Sequence, residues 1–330
     1  MYSCRKDLVA LVLVGSAVPL GAISASSEAV YPERPVTLVI GVPPGGETDA
    51  VARVLSSHMT EELGHRVIVE YRPGASANIA AEFVARTTPD GYTIFLGGRP
   101  QTIHKVMYGH LKYDFARDLT PIAQAATVPY VLVTGKHAPI TTVEDVVGLA
   151  KAYPGGVTCA SSGVGTTSHL LCELFQQETD IQLQHVAYRG SAQALIDVIG
   201  GRIDVQVAAV PAALEYIKAG TLRPLAVMSN LRATSMPEVP TMEEAGVQGL
   251  ALDAWYGLMA PAGTPPHIIA RLNRSVNSAL MNPHVREALA HLGATPPLRP
   301  NTPAALGDLI TDETDRWTRI LEVRNIRPLH

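Results

Sequence analysis

At 330 residues the chain is long enough for one large domain or two ordinary ones. Hydrophobic residues make up 47% and charged residues 17%, which excludes a disordered chain, and with only four Phe and two Trp the core must be aliphatic. A net charge of −4 with no basic cluster leaves no electrostatic footprint for nucleic acid.

Arg5 and Lys6 precede an apolar stretch from Leu8 to Ile23 and then the small residues "SASSEA". That order is the charged start, apolar middle and small-residue cleavage site of a secretory signal peptide, here residues 1–29. Pro19 and Gly21 interrupt the stretch, which is too short to span a membrane comfortably. Cleavage after Ala29 satisfies the small-x-small rule through Ser27, and cleavage after Ala25 is the weaker option. Cys4 lies before the apolar stretch and cannot anchor a lipid at the cleavage site. No later segment reaches about 18 uninterrupted apolar residues. The expected mature protein is soluble and periplasmic.

From Pro35 onward, short β-branched runs alternate with amphipathic patterns. "VTLVIGV" precedes a helix from Thr48 to Leu63, "RVIVEY" precedes "NIAAEFVART", and "YTIFLGG" follows the turn signal Pro89-Asp90-Gly91. "YVLVT" leads to "TVEDVVGLAKAYP", with Thr142 as N-cap and Pro154-Gly155 as the stop. "GVTCAS" precedes "TTSHLLCELFQQ", "HVAY" precedes "SAQALIDVIGG", "IDVQVAA" precedes "PAALEYIKAG", and "RPLAVMS" closes the series. Such alternation predicts α/β architecture with parallel sheets. After "ALDAWYGLMAP" the chain reads as helices from Pro265 to Leu280, Pro283 to Leu292 and Pro303 to Val323. With no strands of their own to cover, these helices are expected to return to the first sheet. A pocket between two lobes follows, with chain crossings near Val128 to Val133 and Ala251 to Gly257.

The stretch "GVPPGGETDAVARVL" has the strand, glycine turn and helix of a phosphate loop but no lysine, and Glu47-Thr48 follow the glycines. A nucleotide triphosphate is therefore disfavoured, as is a dinucleotide, because only Gly45-Gly46 are present. Backbone N–H groups and a helix dipole would still suit an anion, a carboxylate as well as a phosphate. A plain strand-to-helix turn capped by Thr48 or Asp49 explains the same residues. The device recurs at "CASSGVGTTSHLL", with Ser162, Thr166 and Thr167, at "AYRGSAQAL" and at "PGASAN". Turns of this kind on two lobes suggest a clamp for a ligand with two anionic ends.

Catalytic arrangements are not evident. There is no G-x-S-x-G elbow, and Ser168 and His169, adjacent on a helix, diverge. The eleven His are scattered, with no C-x-x-C or H-E-x-x-H, so neither a metal nor a cofactor is expected. Cys159 and Cys172 either bridge in an oxidising compartment or stand as two buried thiols, the reading that free Cys usually satisfies.

"YPERPVTLVIGVPPGGETDAVARVL", "GHRVIVEYRPGASANIAAEFVARTTPDGYTIFLG", "HVAYRGSAQALIDVIGGRIDV" and "WYGLMAPAGTPP" together resemble the Bug-type proteins, the substrate-binding components of tripartite tricarboxylate transporters. The resemblance covers essentially the whole mature chain. It implies a type II periplasmic-binding-protein fold with two lobes and a ligand cleft, lobe 1 from residues 30–128 plus 254–330 and lobe 2 from 129–253. It further implies a monomer that is not an enzyme. Such a protein captures a dicarboxylate, tricarboxylate or aromatic acid and delivers it to integral-membrane subunits. A ligand sensor for a signalling partner is the alternative. In that family backbone amides, hydroxyls and bridging waters hold the carboxylate. Carried over, the ligand-binding positions are Pro43, Pro44, Gly45, Gly46 and Thr48; Gly74, Ala75, Ser76 and Asn78; Ser161, Ser162, Thr166 and Thr167; and Tyr188 with Gly190 in the turn around Arg189.

Three positions depart from the resemblance. Gly41-Val42 replace the usual Pro-Phe and are expected to open space beside the first loop. Glu47 replaces a residue that is often glycine. Ala208, also expected to be a ligand-binding position beside the cleft, stands where many members carry an acid, and its lack of charge argues for a ligand without a free amine.

Protein recovered from the periplasm should begin near Ser26 or Val30, as N-terminal sequencing or intact mass would show. An intact Met1 on that material would overturn the signal-peptide reading.

Overall fold

The structure is a computed structural model that describes residues 1–2, 31–107, 111–297 and 300–323. The expected signal peptide lies outside the described residues apart from its first two. Tyr31 onward forms one compact unit.

The chain builds one sheet, leaves to build a second, and returns. First come β1 (Val36–Ile40), α1 (Glu47–Leu63), β2 (Val67–Tyr71), α2 (Asn78–Ala85) and β3 (Thr93–Gly98). The short helices α3 (Arg99–Thr102), α4 (His104–Met107) and α5 (Phe115–Asp118) lead to β4 (Leu119–Val128). The second sheet takes β5 (Tyr130–Gly135), α6 (Val143–Ala152), β6 (Thr158–Ser161), α7 (Thr167–Glu178) and β7 (Gln184–Ala187). It continues with α8 (Ser191–Ile199), β8 (Val205–Ala209), α9 (Val210–Lys218) and β9 (Leu222–Val227). The return segment is β10 (Ala254–Pro261), α10 (Pro266–Met281), α11 (Pro283–His291) and α12 (Pro303–Val323).

The strand orders are β2-β1-β3-β10-β4 and β7-β6-β8-β5-β9. β1 pairs in parallel with β2 and β3, and β6 with β7 and β8. The expectation of parallel sheets is corrected at the crossings. β10 runs antiparallel to β3 and β4, and β5 antiparallel to β8 and β9. The physical reason is directional: a strand that enters a sheet from the other lobe starts at the end where its parallel neighbours finish. The first crossing occupies only Val128 to Tyr130, so Tyr130 to Val133 already belong to β5. In the second, Ala254 to Gly257 already belong to β10.

Local chemistry sets the element ends. β1 is apolar and β-branched, and four of its five residues are buried, as befits a strand covered on both faces. Glu47 and Asp49 lie in the first turn of α1, where the helix dipole favours acids. Gly64 ends α1 in the left-handed region, φ 73°, and its N–H donates to Thr60 O, a conformation that costs Gly little. The returning helices pack on the first sheet as expected: α10 lies against α1 and β4, and α12 against β4. Cys159 on β6 and Cys172 on α7, both fully buried, are joined as a disulfide, so the two-thiol reading gives way to a strand-to-helix cross-link.

Arg99 welds the end of β3 to the return. It is 2% exposed, and its Nε donates to Glu313 Oε2 of α12 at 2.6 Å while Nη2 donates to Asp253 O at 2.6 Å. Trp317 Nε1 donates to the same Glu313 oxygen at 3.2 Å, and the guanidinium lies 5.4 Å from the Trp317 ring. Removing one partner of a buried pair strands the other charge, at a cost of about 3–5 kcal/mol. Glu313→Ala should lower the unfolding free energy by about that much in urea, and Glu313→Gln, which keeps an acceptor, by less. A loss below about 1 kcal/mol would show that Arg99 is solvated in the folded state.

Candidate functional site

The strands β1, β2 and β3 end on the same side of the first sheet, and the loops that follow carry the expected residues. Pro43, Pro44, Gly45 and Gly46 are exposed, and Gly46 caps α1 with no side chain. Asp49 turns the loop back on itself. It accepts Gly45 N–H at 2.8 Å, Arg53 Nε at 2.9 Å and Tyr71 O–H at 2.8 Å. Burial pulls the Asp49 carboxyl up, but the bonds from Gly45, Tyr71 and Arg53 outweigh it and hold the carboxyl below its usual range. Gly45 N–H is thereby spent inside the loop. Thr48 is buried and bonded to the phenol of Tyr256.

The second loop is a left-handed turn. Ala75, Ser76 and Ala77 have φ values of 46°, 51° and 71°, a strained run for residues with a Cβ. Three bonds hold it: Ser76 Oγ donates to Val164 O at 2.8 Å, Gln101 Nε2 to Ser76 O at 2.6 Å, and Asn78 Nδ2 to Ala75 O at 2.7 Å. Asn78 is fully buried, and its Oδ1 accepts from Tyr113 O–H at 2.5 Å, so it supports the loop from beneath. Gly74 is exposed and Ala75 half-buried. Gly41 opens no space here, which corrects that expectation. A Cβ on it would stand 2.1 Å from Ala77 Cβ, so the turn already fills the room that glycine leaves.

Across from these loops, β6 and β7 end in the second sheet. Ser161 is buried, with its Oγ 2.7 Å from His185 Nε2. Ser162 Oγ, Ser168 Oγ and Thr166 Oγ1 form a hydroxyl chain at 2.9 and 3.0 Å. Thr166 also caps α7, and Thr167 is buried and bonded to the Tyr130 phenol. Gly190 starts α8 without a side-chain cap and its N–H donates to Ser162 O at 3.2 Å, while Tyr188 O–H donates away to Asp197 Oδ2 at 2.7 Å. Ala208 does not join this group. It is 1% exposed, and strand alternation turns it into the apolar cluster with Val131, Ala160 and Ala194.

The Ser76–Val164 bond joins the loops of the two sheets directly. α1, α2 and α8 begin there on Gly46, Ala77 and Gly190 with no capping side chain, while α7 is capped by Thr166; elsewhere α6 and α11 are capped by Thr142 and Asn282, and α9 and α10 are not capped. The first N–H of α2, on Asn78, is spent on Ala75 O, so α1 and α8 are the starts whose N–H groups have the character that suits an anion.

Glu47 was noted only as a departure, yet it occupies the centre. Its Oε1 lies 3.4 Å from the Tyr130 phenol on β5 and 3.3 Å from the Tyr256 phenol on β10. Burial pushes the carboxyl above its ordinary range, and its own N–H and the two phenols do not pull it back. The same surroundings push both phenols well up. The tyrosines stand 83 and 209 residues from Glu47, so no sequence spacing could have joined them. Gln206 was also missed: it is fully buried, its Nε2 donates to Ser191 Oγ at 3.0 Å, and its Oε1 has no protein partner. A lone Gln in the apolar run "IDVQVAA" was the available signal.

His169, Glu173 and His185 bring their ligand atoms within 4.8 Å of one another, so two histidines that looked scattered are neighbours. Their rings stack with centroids 4.2 Å apart. Gly165 N–H donates to His169 Nδ1 at 3.2 Å, which places the proton of the neutral ring on Nε2, 3.6 Å from Glu173 Oε1. In that tautomer the neutral ring points an N–H at the carboxylate, and its Nε2 offers no lone pair to a metal. An open groove of about 620 Å³ lies elsewhere, between α9 and α11, and none of the expected site residues lines it.

The profile of the family described as "Tripartite tricarboxylate transporter family receptor" matches residues 51–326. Protein BugT of Bordetella pertussis is 37% identical over 94% of this chain and 96% of its own. Among solved structures, the R. palustris protein Rpa4515 with adipate superposes with a TM-score of 0.85 at 34% identity, covering 91% of this chain and all of that one. MatC of Rhodopseudomonas palustris with bound malate gives 0.82 at 31% identity, over 88% of this chain and all of that one.

Burial first, and then the charge of His185, press His169 down to about 3. An unfolded His binds its proton near 6.5, so between pH 6.5 and 3 the unfolded chain holds a proton that the folded one refuses. The stabilising effect is complete above pH 6.5 and is lost on acidification, at about 1.4 kcal/mol per pH unit. His169→Gln should flatten the fall in melting temperature between pH 6.5 and 4.5. An unchanged slope would show that His169 titrates normally.

Proposed function

Because the chain belongs to the tripartite tricarboxylate transporter receptor family, we propose that it is a periplasmic solute-binding protein for a small carboxylate. In this reading it is a monomer that releases its ligand to integral-membrane transport subunits and performs no chemistry on it. The ligand is a dicarboxylate, tricarboxylate or aromatic acid. Lobe 1 comprises residues 30–128 plus 254–330 and lobe 2 residues 129–253, with the cleft between them.

One observation carries the reading: loops of both sheets meet through Ser76 and Val164, where α1 and α8 start on glycines without side-chain caps. The anion-binding surface proposed is Pro43 to Gly46, Gly74 to Ser76, Ser161, Ser162, Thr166 and Gly190, with Thr48, Thr167 and Asn78 as supports. Backbone N–H groups at a helix start hold a carboxylate without a lysine. Among the described residues no helix is long and apolar enough to cross a membrane, in keeping with a receptor that hands its cargo to separate subunits. Adipate and malate, held by the two similar proteins, are the natural first probes.

A ligand that binds only the folded state raises its stability by about 2.7 kcal/mol at a hundredfold excess over Kd. A thermal-shift screen of di-, tri- and aromatic carboxylates, adipate and malate included, should yield at least one such rise. The methyl ester of that ligand should lose most of it. Equal shifts with acid and ester would overturn the carboxylate reading.

A further inference from the structure

The lobe-1 end of the cleft holds a carboxyl of its own. Glu47 is the first residue of α1, half-buried, with Oε1 facing the phenols of Tyr130 and Tyr256 from the two chain crossings. At 3.4 and 3.3 Å those contacts are long for O–H···O bonds, so a donor at normal distance would be the stronger partner. Among the described residues no Lys, Arg or His forms an ion pair with it, whereas Asp49, one turn away, has Arg53 at 2.9 Å. The carboxyl thus faces a cleft built to attract anions, without a cation beside it.

We propose that Glu47 sets the specificity of this cleft, accepting a hydrogen bond from an N–H or O–H group at the near end of the ligand and excluding a second carboxylate there. The proposal rests on the carboxylate-receptor reading but replaces its dicarboxylate and tricarboxylate options: the ligand is a monocarboxylate, aliphatic or aromatic, whose other end is a hydroxyl, amide or ammonium donor. Burial and a second carboxylate both raise the Glu47 carboxyl, so a diacid is held there only if one of the two carboxyls takes up a proton, a cost that a donor-ended acid does not meet. A donor at the same place is a stronger partner than the long phenol contacts. The ligand's own carboxylate then lies against the open helix starts, away from Glu47. Ala208 does not argue against an ammonium group, since it lies in the closed apolar cluster and no charge there would meet the ligand.

The test is calorimetry at pH 7.5 with matched acids, on the parent protein and on Glu47→Gln and Glu47→Gly. The probes are adipate, 6-hydroxyhexanoate and 6-aminohexanoate; succinate, 4-hydroxybutyrate and 4-aminobutyrate; and terephthalate, 4-hydroxymethylbenzoate and 4-aminomethylbenzoate. In the best-bound set the parent should favour a donor-ended acid over the diacid by at least tenfold, equivalent to about 1.4 kcal/mol. Both variants should bring that ratio within about threefold or invert it, with circular dichroism confirming that they fold. Preference for the amine over the alcohol identifies a cationic end, and parity a neutral donor; either supports the role of Glu47. A parent that favours the diacid, or a ratio unchanged in both variants, overturns the proposal and leaves the carboxylate reading standing. Failure of every acid to bind any of the three proteins overturns both.

Discussion

The side chain of Arg99 ties together three parts of the chain that are distant in sequence. It sits where β3 ends, donates to Glu313 near the carboxyl end of the chain, and donates to the Asp253 carbonyl where the chain re-enters the first sheet. An ion pair this deeply buried contributes little net stability compared with an apolar substitute. Its contribution is geometric. The end of β3, the second crossing and the last helix are held in one arrangement. Tyr256, on the second crossing, then has a fixed origin from which to reach Glu47.

Around the cleft the loops spend much of their polarity on themselves. Asp49 takes Gly45 N–H, Asn78 is divided between Ala75 and Tyr113, and Ser161 leans on His185. In the proposed ligand site such bonds remove some polar groups from use and fix the positions of those that remain. The left-handed turn at Ala75 to Ala77 fits the same logic. It is strained, and it persists because Gly41 leaves room beneath it while Gln101 and Asn78 hold it from the sides.

Much of this was legible in the sequence, for identifiable reasons. β1, β2 and β3 are short β-branched runs closed by Pro or Gly, and α6 carries both the Thr142 cap and the Pro154-Gly155 stop, so local chemistry alone marks them. β4 was not legible: "LTPIAQAATV" is rich in Ala and contains Pro121, and it becomes a strand because β10 pairs along it. The antiparallel entry of β5 and β10 also escaped, since alternation records the order of elements and not their direction. The open turns at Gly46 and Gly190 could be read from glycine placement. The Glu47 phenol pair and the His169–His185 stack could not, because each joins residues from separate elements. Gly41 misled because glycine was taken as vacant space, when its neighbour already occupied it.

The order of strands in the first sheet has a consequence for how the protein is made. β10 lies between β3 and β4, so those two strands cannot be joined until residues 254–261 have been synthesised. The second sheet has no such gap, because all of its strands fall within residues 130–227. Domains tend to assemble as soon as their own strands are available, and unpaired strand edges invite association. The second sheet therefore has all of its strands in hand before the first does, counting from the amino terminus. A nascent chain arrested before Ala254 would hold one finished sheet and, at its amino-terminal side, an unsatisfied β3 edge that only a chaperone or the rest of the protein can cover.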